Sequence, residues 1–206
     1  MLQSKSDYAL VTGGSRGIGK EVCKQLLLKG KPVLFTSTNQ AAGQRVAQEL
    51  STISSAPVHC LLLDQGSPSS VQQLVQQIQQ QYDQQVDLLI NNAAMMIRHK
   101  WDAESYATTL AVNTVGPMTL TERLLPSLAP NSLIIMVTSG EGCVDCCLEW
   151  PPRCANQFAD SLIIMVTSGG SAGWLPGCLR RPVSHRSFIK ACMRICMHNA
   201  DGTCHL

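Results

Sequence analysis

The stretch Thr12-Gly13-Gly14-Ser15-Arg16-Gly17-Ile18-Gly19 holds the residues best suited to chemistry. It follows the apolar run Tyr8-Ala9-Leu10-Val11 and opens a pattern, Ile18, Val22, Leu26 and Leu27, that suits one face of a helix. A glycine-rich turn between a buried strand and a helix lets the backbone approach a pyrophosphate closely. The helix N-terminus then attracts its negative charge. The expected chemistry is nucleotide binding, with Gly13, Ser15, Arg16, Gly17, Ile18 and Gly19 as candidates. The cysteines offer less. Cys143-x2-Cys146 and Cys192-x3-Cys196-x-His198 hint at zinc, but the groups lie far apart and Cys146-Cys147 is awkward for tetrahedral ligation. No metal site is expected.

Positioning that loop requires a sheet. Val33-Leu34-Phe35-Thr36, Val58 to Leu63, Val86 to Ile90 and Ser132 to Thr138 read as further strands. Between them, 41–50 reads as a helix, and Ser67-Pro68 opens another whose apolar face is Val71, Leu74, Val75, Ile78 and Tyr82. Lys29-Gly30-Lys31-Pro32 stops the first helix, and Glu104 to Leu128 holds one or two more. Strands alternating with helices, several of them continuous apolar runs, predict a doubly wound parallel sheet of α/β, Rossmann type. Five strands are expected, with the C-terminal side incomplete.

Beyond Gly140 both periodicities fail. Ser161 to Gly169 then repeats Ser132 to Gly140 letter for letter. Two identical strands are expected to compete for one slot, and the short Ala129-Pro130-Asn131 link favours the first copy. The chain divides accordingly into a nucleotide-binding domain, 1–140, and a divergent tail, 141–206. That tail holds eight of the ten cysteines and the duplicated segment.

The spacing Gly-x3-Gly-x-Gly resembles the short-chain dehydrogenase/reductase family, whose loop reads Thr-Gly-x3-Gly-Ile-Gly. Other positions agree in order. Asp64 follows the third strand, where the resemblance implies contact with adenine. Asn91-Asn92-Ala93-Ala94 looks like the family's Asn-Asn-Ala-Gly, with Ala94 in place of glycine, and puts Asn91 beside the cofactor. Asn113 stands where the family keeps a catalytic-site asparagine, and Ser139 where its serine orients the carbonyl. Residues 8–140 resemble a carbonyl-reductase-type member. The plainer readings are that Asp64 caps a helix and Asn113 is a turn residue.

The resemblance implies NADP. An acid after the second strand would hydrogen-bond the ribose of NAD, but Phe35-Thr36-Ser37-Thr38-Asn39 has none. Ser37 and Thr38 can donate hydrogen bonds, and Arg16 supplies a positive charge for a 2′-phosphate.

One departure matters. Such reductases use a tyrosine as general acid with a lysine four residues on, because an unperturbed phenol near pKa ~10 shuttles protons poorly at neutral pH. Four residues after Tyr8, Tyr82 and Tyr106 stand Thr12, Val86 and Leu110. The only lysine after Ser139 is Lys190, preceded at that distance by Arg186. His185 has the wrong spacing to substitute, and Ser168 and Ser171 are rivals to Ser139. The expected protein is an NADP(H)-dependent oxidoreductase acting on a small carbonyl or alcohol with impaired turnover. The alternative is a non-catalytic, truncated isoform that binds nucleotide or pairs with a full-length partner.

Composition bounds the rest. The 206 residues are 45% hydrophobic and 15% charged, which suits a packed core. Sixteen basic against fourteen acidic side chains leave +2, no field for nucleic acid or a membrane surface. The longest uncharged stretch, Ser161 to Leu179, is broken by four glycines and Pro176, so no membrane span is expected. The N-terminus has no apolar leader, and a cytoplasmic location is the expectation.

Overall fold

A computed structural model describes residues 7–83, 85–95, 102–139, 162–168 and 178–182. β1 (Tyr8–Val11), β2 (Val33–Ser37), β3 (Val58–Leu62), β4 (Val86–Asn91) and β5 (Leu128–Ser139) form a parallel sheet. It is extended by β6 (Leu162–Ser168) and β7 (Cys178–Pro182), in the order β3-β2-β1-β4-β5-β6-β7. The order reverses between β1 and β4, the switch point at which a doubly wound sheet opens a crevice at its strand C-termini.

Helices cover both faces because successive strand residues point to opposite sides. Val11, Phe35, Ile90 and Ile135 pack with Val22, Cys23, Leu26 and Leu27 of α1 (Gly17–Leu28). Leu50 of α2 (Gln40–Ser51) joins them. On the other face Leu10, Leu34, Leu89 and Ile134 meet α3 (Pro68–Tyr82) and α5 (Gly116–Leu124). The glutamine-rich α3 is an ordinary amphipathic helix. Val71, Leu74, Val75 and Ile78 are buried, each side chain contributing roughly 2 kcal/mol, and the Ser67 hydroxyl caps the first turn through the Ser70 N–H.

Two expectations change. The fifth strand starts earlier than Ser132: α4 (Ala103–Leu110), a π-turn over Ala111–Val115, α5 and a 3-10 turn (Leu125–Ser127) precede a strand that already begins at Leu128 and takes in the 129–131 link. Pro130 disfavours helix at Ala129, and Asn131 takes a left-handed φ of 61° where the pairing with β4 shifts register. The second correction concerns the repeated segment. The copies do not compete for one slot. They lie side by side, Leu133↔Leu162 through Ser139↔Ser168, because a free strand edge accepts backbone pairing whatever the sequence beside it.

Candidate functional site

The glycine loop is tied to strands on either side of it. The Gly13 N–H donates to Thr36 Oγ1 at 3.1 Å and the Gly14 N–H to the Thr36 carbonyl at 3.0 Å, fixing the loop to β2. On the other side the backbone N–H groups of Asn92 and Ala93 both donate to Thr12 Oγ1 at 3.0 Å. Asn92 Nδ2 donates to the Thr12 carbonyl at 2.9 Å. The loop therefore sits across the switch point between β1 and β4.

Within it, Gly17 and Gly19 have opposite surroundings. Gly17 has φ +56° and a side chain there would meet nothing within 4 Å. Its bare backbone faces open space at the start of α1. Arg16 precedes it in extended conformation, and no side chain caps the helix's first turn. Unsatisfied N–H groups and the dipole's positive end thus meet at an open spot, which is what a diphosphate needs. Gly19 is instead crowded: a Cβ would run into the Gly13 carbonyl and come within 2.5 Å of Asn92 Nδ2.

The other sequence-predicted residues gather along the same strand ends, in differing ways. Arg16 and Thr38 are exposed and Ser15 is half-buried. Ile18 packs against the α1–α2 core. The buried Ser37 hydroxyl is committed locally, donating to the Asn39 carbonyl at 3.0 Å and accepting from the Asn39 N–H at 3.2 Å. Asp64 is exposed and its Oδ1 accepts from the Gly66 N–H at 3.0 Å, shaping the turn into α3. Asn91 points away from the loop. Its Nδ2 donates to Thr121 Oγ1 at 3.0 Å and lies 3.1 Å from Met136 Sδ, on the α3–α5 face, while its buried Oδ1 has no partner. Asn113, in the π-turn, forms a two-bond clasp with Met95: Nδ2 donates to the carbonyl at 2.7 Å and Oδ1 accepts the N–H at 2.8 Å. Ser139 ends β5 on the same edge. Its side chain, like Ser171, His185 and the cysteine-rich stretch, lies outside the described residues.

Two residues at this edge escaped the sequence reading. Asn92, rather than Asn91, holds the loop. Gln65 is buried and donates from Nε2 to the Val112 carbonyl at 2.9 Å and the Ala93 carbonyl at 3.3 Å, joining the ends of β3 and β4 to the π-turn. Strand alternation could have chosen between the asparagines. Nothing local marked Gln65.

The short chain dehydrogenase family model matches residues 7–151. The chain belongs to this family. Among its relatives is (+)-neomenthol dehydrogenase of Arabidopsis thaliana, 30% identical over 168 residues that make up 69% of this chain and 56% of that one. Another is 3-beta-hydroxysteroid dehydrogenase of Comamonas testosteroni, 34% identical over 116 residues, 55% of this chain and 43% of that one. The chain thus spans about half the length of the curated relatives it matches. Solved structures share the fold. A blue fluorescent protein from a metagenomic library, in complex with NADPH, superposes with TM-score 0.68 at 23% identity, covering 79% of this chain and 74% of that one. A metagenomic short-chain oxidoreductase in complex with NADP gives 0.69 at 17% identity, covering 93% and 90%.

Tyr8 and Tyr82 of this short-chain dehydrogenase stand away from the loop. Tyr8 opens β1 and packs edge-on against Tyr82 at 5.2 Å between ring centroids, with His59 beside both. This cluster marks the strand N-termini, the edge opposite the glycine loop. Burial, with a smaller contribution from Tyr8, pushes the Tyr82 phenol up, the wrong direction for a proton donor at neutral pH. Tyr106 on α4 is exposed. Burial also raises the thiols of Cys23 and Cys60, which leaves both poor nucleophiles. Among the described residues no cluster of His, Cys, Asp or Glu could hold a metal ion, and no helix is long and apolar enough to cross a membrane.

Proposed function

We propose that the chain binds NADP(H) as a carbonyl-reductase-type oxidoreductase whose turnover is impaired by the missing Tyr-x3-Lys pair. The observation that carries this reading is the bare Gly17 backbone at the uncapped start of α1, set at the switch point of the sheet. The site fits a dinucleotide. Gly13, Gly17 and Gly19 shape the cradle, with Ser15 and Ile18 at its rim. Arg16 and Thr38, exposed on adjoining turns, suit the 2′-phosphate. Asp64 keeps Oδ2 available for adenine. Asn91 supports the pocket from beneath, through Thr121. Bound NADPH supplies a hydride to a carbonyl, and NADP takes one from an alcohol.

What the chain itself adds is positioning. Asn113 fixes the segment after β4 against the π-turn, and Ser139 stands where a hydroxyl would orient the substrate oxygen. Nothing assigned to the site delivers a proton, and lacking a general acid lowers the rate by about 10²–10⁴. Residues 1–140 form the nucleotide-binding unit in this reading, and 141–206 a tail that contributes two outer strands.

NADPH fluorescence titration tests the binding. Saturation below about 1 mM is expected, and its absence ends the proposal. Steady-state NADPH oxidation with aldehydes, ketones and quinones tests the impairment: a rate in the range of ordinary enzymes, about 10 s⁻¹, would show that another group supplies the proton. Cofactor choice has its own test. Arg16→Glu is expected to weaken NADPH binding about tenfold or more and NADH binding far less, since only the former offers a 2′-phosphate to the guanidinium. Equal losses for both would remove Arg16 from that role. The non-catalytic alternative is favoured by the Tyr8–Tyr82 pairing at the far edge, and saturable binding without detectable oxidation would select it.

A further inference from the structure

In the folded sheet, position 65 is out of keeping with its surroundings. Leu61 and Leu63 point into the apolar layer covered by α3 and α5, and Gln65 continues their alternation. A glutamine nevertheless stands there, 5% exposed, with Nε2 donating to two carbonyls and Oε1 without a partner. Turning the amide over would set its oxygen against both carbonyls, so the orientation is fixed. A buried acceptor left unpaired costs stability, and an apolar side chain would avoid that cost.

The Val112 carbonyl explains the amide. In an α-helix it would accept the Gly116 N–H, four residues on, but in the π-turn this N–H donates to the Ala111 carbonyl. The π pattern would then pass Val112 to residue 117, which is Pro117 and has no N–H. Neither helical donor exists, and Gln65 Nε2 takes their place at 2.9 Å. Helix α5 presses on the same residue: a Cβ on Gly116 would lie 2.2 Å from the Gln65 carbonyl oxygen and 3.0 Å from its Cγ. The side chain is clamped beneath the turn that carries Asn113, whose amide clasps the Met95 backbone.

We propose that Gln65 is a positioning residue for the substrate side of the site. By donating to the Val112 carbonyl it keeps 111–115 in the π form and so holds Asn113 where it can clasp Met95. This role rests on the reading of Asn113 as a site residue. Its test needs no nucleotide, so failure of NADPH binding and failure of this role are separate results.

The test is residue-resolved amide exchange by NMR on the full chain, read at the Met95 N–H, whose acceptor is Asn113 Oδ1. Asn113→Ala sets the rate without the clasp. Gln65→Met, similar in volume but lacking a donor, is expected to speed Met95 exchange about tenfold or more. Leu10 and Leu34, paired in the inner strands, should stay within about twofold of the unaltered chain. Adding Pro117→Ala supplies an N–H five residues after Val112 and is expected to return Met95 to within about threefold of its original rate. A residue that only filled space would gain nothing from that N–H. Three results would overturn the role: Met95 exchange unchanged in Gln65→Met, equal acceleration at Leu10 and Leu34, or no recovery with Pro117→Ala.

Discussion

A chain carrying Gly17→Asp is expected to bind NADPH at least about a hundredfold more weakly while remaining folded. The two halves of this result have separate causes. Gly17 lies at φ +56°, where a non-glycine residue costs roughly 1–2 kcal/mol, and aspartate is among the residues that tolerate that region best. A new side chain meets nothing within 4 Å, so no clash adds to the penalty. The carboxylate would instead project into the space assigned to the diphosphate and accept the N–H groups at the start of α1. Each charge-assisted hydrogen bond lost is worth about 1.5–3 kcal/mol, and repulsion between like charges adds to it. Fluorescence titration reads the affinity and thermal melting reads the fold, where a drop of about 3–6 °C is expected for a chain of this size. Unchanged affinity would place the phosphates elsewhere.

Gly19→Val reverses that outcome, damaging the fold first. A Cβ at this position collides with the Gly13 carbonyl and approaches Asn92 Nδ2 to 2.5 Å. The colliding atoms are backbone and a side chain already engaged with the Thr12 carbonyl at 2.9 Å, so neither can retreat cheaply. Overpacking costs about 1–3 kcal/mol and a broken buried hydrogen bond about 1–3 more. A loss near 4 kcal/mol should lower Tm by roughly 8–16 °C. Urea unfolding would check it through a lower midpoint with unchanged slope. A melting temperature equal to that of Gly17→Asp would mean that helix α1 does not pack against the β4 end as described.

The five inner strands and most helix starts were legible because periodicity and capping are local signals. Ser67-Pro68 before an apolar 3.6 pattern, and Lys29-Gly30 after one, mark α3's start and α1's end without reference to the remainder of the chain. The start of β5 was placed at Ser132 since Ala129-Pro130-Asn131 reads locally as a link, and only pairing of Leu128 with Val86 of β4 draws it into the strand. Asn91 and Asn92 are adjacent and chemically identical. Their division of labour, one beneath the sheet with Thr121 and one clipping the glycine loop, follows from the strand's alternation and from which helix covers which face.

By itself the sequence determined the family, the glycine loop that could receive a diphosphate, and the absence of any tyrosine with a lysine four residues on. These are statements about residue type and short spacing, which one strand and one helix suffice to express. Tertiary structure alone decided that Gly17 faces open space while Gly19 is jammed against β4's end, that Gln65 bridges three elements, and that the repeated strand lies beside its twin. Each of these depends on contacts between segments many residues apart, whose partners are chosen by the packing of the whole sheet.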